Sequence, residues 1–228
     1  MQTQESLASQ LASYKAGFIG RAPVARVAMM EAATAHLKST GIESIALKVG
    51  DRAPSLSLPD AKGEQVSVDR LLEQGPVVAI FYRGGWCPYC NLELRAWQAH
   101  LAELNSLGAT LVAISPQTPD NSLSTAEKNA LAFPVLSDSV LAAAHRFGIA
   151  FTLPPELVDL YGSVGNSLPE LNGNGQWVLP VPATFVIDTS GVIQFAHVEA
   201  DYRERAEPGD VLAVIRAMGK WGNTSSTA

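Results

Sequence analysis

The spacing of apolar positions changes several times along the chain, and each change marks an element. Leu7, Leu11, Tyr14 and Phe18 fall on one helical stripe. Val24, Val27, Met30 (or Met29), Thr34 and Leu37 fall on a second. Together they predict two amphipathic helices, broken around Gly20-Arg21-Ala22-Pro23. Neither helix can bury its face alone. Residues 1–46 therefore read as a helical arm, serving either as an intramolecular cover or as the arm of a homodimer.

The spacing then tightens. After Gly50-Asp51-Arg52-Ala53-Pro54, Leu56 and Leu58 alternate with serines, Asp60-Ala61-Lys62-Gly63 supplies a turn, and Val66 and Val68 pair back as a hairpin. Leu71-Leu72 belong to a short helix. Val77 to Tyr82 is apolar without interruption, as a central strand buried on both faces should be. Leu94, Trp97, Leu101 and Leu104 mark one face of a helix that ends at Gly108. Thr110 to Ser115 is a second buried strand, and Pro116 to Asn121 reads as a loop. A helix follows over about 124–131, then a strand at Phe133-Pro134-Val135-Leu136 and a helix from Val140 to Phe147. Residues 150–180, broken by prolines and glycines, read as an irregular insertion with one short helix around Glu156 to Tyr161. Ala183 to Asp188 and Val192 to Val198 form a hairpin, and a last helix runs from about Pro208 to Met218. The pattern predicts an α/β fold with a central mixed sheet and helices on both faces. The arm spans 1–46, the main domain 47–219, and a flexible tail 220–228.

Composition narrows the function classes. The chain has 228 residues and a net charge of -6, with 47% hydrophobic and 17% charged residues, which is ordinary for a folded globular protein. The acidic balance argues against nucleic acid or an anionic membrane as partner. Met1 to Gln10 is polar and unlike a secretion signal, and no apolar run approaches the ~18 residues of a membrane span. A cytoplasmic location is expected.

The only two cysteines, Cys87 and Cys90, stand in C-x-x-C spacing directly after the central strand and a glycine-rich turn. In a reducing compartment that spacing points to redox chemistry. Cys87 falls at the start of a helix, with Pro88 at the first helical position, where a missing N–H costs nothing. There the unpaired N–H groups and the dipole favour a thiolate. Cys87 is thus the expected nucleophile, with Arg83 lowering its pKa, and Cys90, one turn in, the resolving thiol. Trp86 would shield the pair from water, although Arg83 could instead pair with a carboxylate such as Glu93. A static disulfide is the bland alternative. A zinc site would need two more ligands, and His36, His100, His145 and His197 lack ligand spacing, so neither metal nor cofactor is expected. Pro182, just ahead of the strand Ala183 to Asp188, is where a cis peptide could bring backbone groups alongside the sulfurs.

These stretches together resemble the thioredoxin superfamily, and within it the peroxiredoxin-like proteins of the alkyl hydroperoxide reductase/thiol-specific antioxidant (AhpC/TSA) family. The resemblance runs from about Val49 to Met218. It is carried by Val49 to Pro54, Phe81 to Cys90, Ala113-Ile114-Ser115, Phe133 to Asp138, Arg146 to Ile149 and Pro182 to Asp188. It implies a thioredoxin-like fold with a cis Pro182 facing the cysteines. It also implies a thiol peroxidase, in which Cys87 attacks a hydroperoxide, Cys90 closes a disulfide, and a thioredoxin- or glutaredoxin-like dithiol restores the pair. The alternative is a thiol–disulfide oxidoreductase, which Cys-Pro-Tyr-Cys itself resembles; a redox sensor is a third reading. Two positions depart from the family. Gly84 stands where peroxiredoxins carry Thr or Ser three residues before the reactive cysteine. Pro182 stands where they carry an arginine.

Overall fold

The computed structural model describes residues 5–219. Helices α1 (Leu7–Ile19), α2 (Val24–Ser39) and the single turn α3 (Ile42–Ile45) come first. Next come β1 (Ser57–Pro59), β2 (Gln65–Ser67), α4 (Val68–Leu72), β3 (Val77–Phe81), α5 (Pro88–Ser106), β4 (Thr110–Ser115), α6 (Pro119–Lys128), β5 (Val135–Ser137) and α7 (Ala142–Arg146). The insertion holds β6 (Ala150–Thr152), α8 (Pro155–Ser163), α9 (Leu168–Asn172) and β7 (Val178–Pro180). The chain then returns through β8 (Ala183–Ile187), β9 (Ile193–Val198) and α10 (Pro208–Gly219).

Five strands form one mixed sheet in the order β5-β4-β3-β8-β9. β3 runs parallel to β4 and antiparallel to β8, so it sits at the centre with every residue buried. Its alternating side chains feed two cores. Val78, Ile80 and Tyr82 pack beneath α1, α5 and α10. Val77, Ala79 and Phe81 face Ile42, Leu72, Ala143 and Phe147 on the other side.

The arm packs on its own chain. α1 lies on α5, burying Leu7 and Leu11, with the Tyr14 ring set edge-on to Tyr89 at 5.1 Å. The Glu207 carboxylate accepts from the first backbone N–H groups of α1, 2.6 Å from that of Ala8, where an anion also meets the helix dipole. Arg203 ties α2 down: it donates to Glu31 on that helix, with one bond of 2.9 Å, and to Asp201 at 2.6 Å.

Three expectations change. α6 starts at Pro119, several residues early, because Pro119 occupies a first-turn position where its missing N–H is harmless. The insertion is more ordered than expected: besides the expected helix around Glu156 to Tyr161, which is α8, Pro169 begins a second helix, and Leu153, Tyr161, Leu168 and Leu179 close a small core of their own. Pro182 is trans, not cis. The chain runs extended from β7 into β8 with the Val181 N–H bonded to the Ile149 carbonyl at 2.7 Å, a course the trans peptide satisfies. The expected tail over 220–228 lies outside the described residues. Among those described, no helix is long and apolar enough to cross a membrane.

One close approach sets where β3 begins relative to the end of α5. A Cβ on Gly75 would stand 2.0 Å from the Gly108 carbonyl oxygen, backbone against backbone. Gly75→Ala should therefore cost about 1–3 kcal/mol as overpacking does. It should lower the urea midpoint without changing the slope; an unchanged midpoint would contradict this packing.

Candidate active site

β3 delivers the site. Tyr82 continues its pairing, bonding the Ile114 carbonyl at 2.9 Å, and the chain then turns through Arg83, Gly84, Gly85 and Trp86 into Cys87, the N-cap of α5. Gly84 has a φ of +145°, and the Cys87 N–H returns to its carbonyl at 3.0 Å. The turn is clamped from both sides. Gly85 donates its N–H to Gln117 at 2.7 Å and accepts from the Asn91 side chain at 2.8 Å. Asn91 is in turn held by Asn129 at 2.9 Å, and Asn129 by Arg95 at 2.9 Å. A side chain at position 85 would collide with the Thr125 hydroxyl at 2.2 Å.

Both cysteines are free and buried, Cys87 1% exposed and Cys90 fully enclosed. Two buried guanidinium groups flank them. Arg83 lies 4.9 Å from the centroid of the Trp86 ring, 4.4 Å from Tyr202 and 5.5 Å from Tyr161, whose hydroxyl accepts a hydrogen bond from it. Among the described residues it forms no ion pair. Arg205, in the stretch between β9 and α10, reaches the Cys90 sulfur at 3.5 Å and bonds Glu93 at 2.7 Å. Glu93 thus pairs with Arg205, leaving Arg83 without the carboxylate that its sequence neighbourhood offered.

These charges separate the two thiols. Burial alone would raise the Cys87 pKa, but a hydrogen bond from the Cys90 thiol and the Arg83 and Arg205 charges outweigh it and hold Cys87 at about 6. Burial and the neighbouring Cys87 push the Cys90 thiol well above its usual range, against the pull of both arginines. One thiol is an anion at neutral pH and its partner keeps its proton.

Cys87 opens onto an apolar cavity of about 220 Å³, walled by Tyr14, Phe18 and Met30 of the arm and by Leu160, Tyr161 and Val164 of the insertion. Arg83, Tyr161 and Tyr202 separate it from a larger cavity of about 580 Å³, which Pro182 lines. Cys87, Cys90, Arg83 and Trp86 therefore meet as expected, whereas Pro182 is placed on the far side of Arg83. Arg205, Tyr161 and Tyr202 carried no signal in the sequence, because each comes from a loop or insertion whose path only the folded chain reveals. The buried asparagines at 91 and 129 did offer one, as polar residues on helix faces that pack inward.

Residues 49–196 match the AhpC/TSA family. Escherichia coli K12 peroxiredoxin Bcp is 35% identical over 103 residues, 45% of this chain and 65% of that protein, so the match spans just under two thirds of that relative. A putative peroxiredoxin of Mycobacterium tuberculosis H37Rv is 27% identical over 172 residues, 75% of this chain and 98% of its own. Among solved structures, peroxidoxin BcpB of M. tuberculosis superposes with a TM-score of 0.60 at 26% identity, covering 75% of this chain and 98% of that one. Peroxiredoxin Q of Xanthomonas campestris superposes with a TM-score of 0.54 at 22% identity, covering 72% and 91%, which speaks for the fold alone. With the family match covering well over half of its length and the turn and cysteine helix inside it, the chain belongs to the AhpC/TSA family.

Proposed function

We propose that the protein is a thiol-dependent peroxidase acting on organic hydroperoxides. The carrying observation is the Cys87 thiol, held near pKa 6 at the floor of an apolar cavity beside a guanidinium that no carboxylate neutralises. The Cys87 thiolate attacks the outer peroxide oxygen, the O–O bond breaks, and the alkoxide leaves as the alcohol after protonation. The sulfur is oxidised to sulfenic acid and the peroxide is reduced. Arg83 supplies the positive charge that meets the oxygen as it departs. Cys90 then displaces hydroxide from the sulfenic sulfur to close the disulfide, and a thioredoxin- or glutaredoxin-like dithiol reopens it in the cytoplasm.

Access argues for this reading over thiol–disulfide exchange with protein substrates. A small hydroperoxide fits a cavity of about 220 Å³, whereas a protein disulfide meets α1, α2 and α8 before it reaches a sulfur only 1% exposed. A protein reductant meets the same obstacle, so the arm must lift in the oxidised state, while a small dithiol needs no such movement. The apolar face of α1 is spent on its own chain, and the reading requires no second subunit.

Gly84 tests how far the usual peroxiredoxin chemistry transfers. A Cβ there would stand 2.4 Å from the Trp86 indole nitrogen. Gly84→Thr, which installs the usual family residue, should displace Trp86 from Arg83 and slow peroxide reduction at least about tenfold, as a mispositioned catalytic group does. A faster variant would show that the missing hydroxyl, not the guanidinium, limits the reaction.

The central test is stopped-flow mixing of the reduced protein with cumene hydroperoxide and with hydrogen peroxide, followed by tryptophan fluorescence. Cumene hydroperoxide should react faster. Its rate should rise through about pH 6 as Cys87 loses its proton and stay level above, because the thiolate is the nucleophile. Cys87→Ser should be inert, and Cys90→Ser should accumulate a trappable sulfenic acid. A rate no greater than that of a free thiol with both oxidants sinks the proposal.

A further inference from the structure

A carboxyl group that the peroxide step does not use lies directly behind the cysteine pair. Glu93 is fully buried, three residues and so one turn beyond Cys90 on the same face of α5. One of its oxygens accepts from Arg205 Nε at 2.7 Å, and the same guanidinium reaches the Cys90 sulfur at 3.5 Å. The other oxygen, Oε1, has no full hydrogen-bond partner among the described residues. The Thr184 hydroxyl of β8 stands beside this carboxyl and favours its charged form, and it makes no other hydrogen bond among the described residues. Opposite Thr184 in the sheet stands His197, half-buried, with its Nε2 free of partners as well. Buried polar atoms are normally paired, so a buried carboxyl oxygen bonded this weakly is placed to take up a proton.

Resting on the peroxidase reading, we propose that Glu93 is the proton acceptor for the resolving thiol Cys90 in disulfide closure and its proton donor when the disulfide is reduced. Such a group is needed because Cys90 holds its proton at neutral pH. Burial raises the Glu93 carboxyl to about 7 against the Arg205 charge, so it gains and loses a proton where the protein works. In closure, the Cys90 S–H bond breaks and its proton passes to the Glu93 carboxylate as the S–S bond forms. The S–O bond of the Cys87 sulfenic acid breaks, and the departing hydroxide takes that proton and leaves as water. Cys90 is oxidised, the sulfenic sulfur is reduced, and Glu93 ends as it began. In reduction an external dithiol attacks Cys87, Cys90 departs as thiolate, and Glu93, protonated from solvent on the Thr184 and His197 side, neutralises it.

The groups that set this carboxyl surround it on every side. Arg205 on the stretch after β9, Cys90 of its own helix and Thr184 of β8 act on it directly; Tyr82 and Arg83 at the end of β3 and Cys87 act on the Cys90 sulfur, and Arg205, Glu199 and Glu204 act on His197 of β9. Arg205 is the positioning residue, joining the carboxylate to the sulfur.

The test separates three rates. Rapid mixing with cumene hydroperoxide gives sulfenic-acid formation and then disulfide closure, and mixing the oxidised protein with dithiothreitol gives reduction without any peroxide. In the wild-type protein, closure should show an inflection between pH 6 and 8. In Glu93→Gln, closure and reduction should slow by about 10² or more, the usual range for a lost general acid–base group, and the inflection should vanish. Glu93→Gln leaves Arg205 as an unpaired buried charge, so Glu93→Gln/Arg205→Gln, neutral on both sides, is measured beside it. Glu93→Asp should recover part of the rate with the inflection displaced. Wild-type closure flat across pH 6–8, or closure and reduction at wild-type rates in either glutamine variant, overturns the assignment. Absence of any sulfenic acid would sink the peroxidase reading instead, while the dithiothreitol rates still decide the role of Glu93.

Discussion

An anionic sulfur buried in a protein survives only where fixed positive charge replaces the water it has lost, and the architecture around Cys87 is arranged to satisfy that condition. Two guanidinium groups are needed in a region of 0–1% exposure, and each is accommodated differently. Arg205 is tied to a carboxylate and to the backbone of its own loop, so its charge is structurally anchored and partly neutralised by Glu93. Arg83 has no such partner. It is held by three aromatic rings and a phenol hydroxyl, which orient a planar cation while leaving its charge free to act on the sulfur and on whatever binds beside it. The apolar walls of the cavity make that charge more effective by keeping the local dielectric low.

The same asymmetry sets the redox character of the pair. Stabilising the thiolate at Cys87 stabilises the reduced protein and makes the disulfide correspondingly easier to open. A catalyst that must be re-reduced after every turnover benefits from that bias; a structural disulfide would need the reverse. Burial of Cys90 supplies the second half of the logic, because a resolving thiol that stays protonated does not compete with Cys87 for the oxidant. Its proton must then be managed during closure, and among the described residues the carboxyl paired with the guanidinium beside it is that of Glu93.

Most of the scaffold was legible because its signals are local. An uninterrupted apolar run gives a central strand, Leu94, Trp97, Leu101 and Leu104 give a helix face, and Cys87-Pro88 gives a helix start. Errors came where one residue type serves two physical ends. Pro119 and Pro169 look like breaks but start helices, so the expected α6 began too late and the insertion appeared more irregular than it is. Glu93 was a plausible partner for Arg83 from ten residues away, yet Arg83 opens onto the cavities under the arm while Glu93 lies beneath α5 against Arg205. Tyr161, Tyr202 and Arg205 reach the site from 70 to 120 residues downstream, through packing that no periodicity encodes.

The two departures from the family pattern belong to one rearrangement. With proline at 182, no guanidinium comes from the β7–β8 junction; at the end of β3, Arg83 brings one from the strand that also carries Cys87. Arg83 needs an aromatic floor to stay in place, and Trp86 supplies it by folding back over the turn. That indole occupies the space a side chain at position 84 would require, so the residue there is glycine. The absent threonine and the relocated arginine are therefore linked by the volume of Trp86. On the proposed mechanism, the charge that meets the departing oxygen comes from the end of β3 and not from the β7–β8 junction beside it.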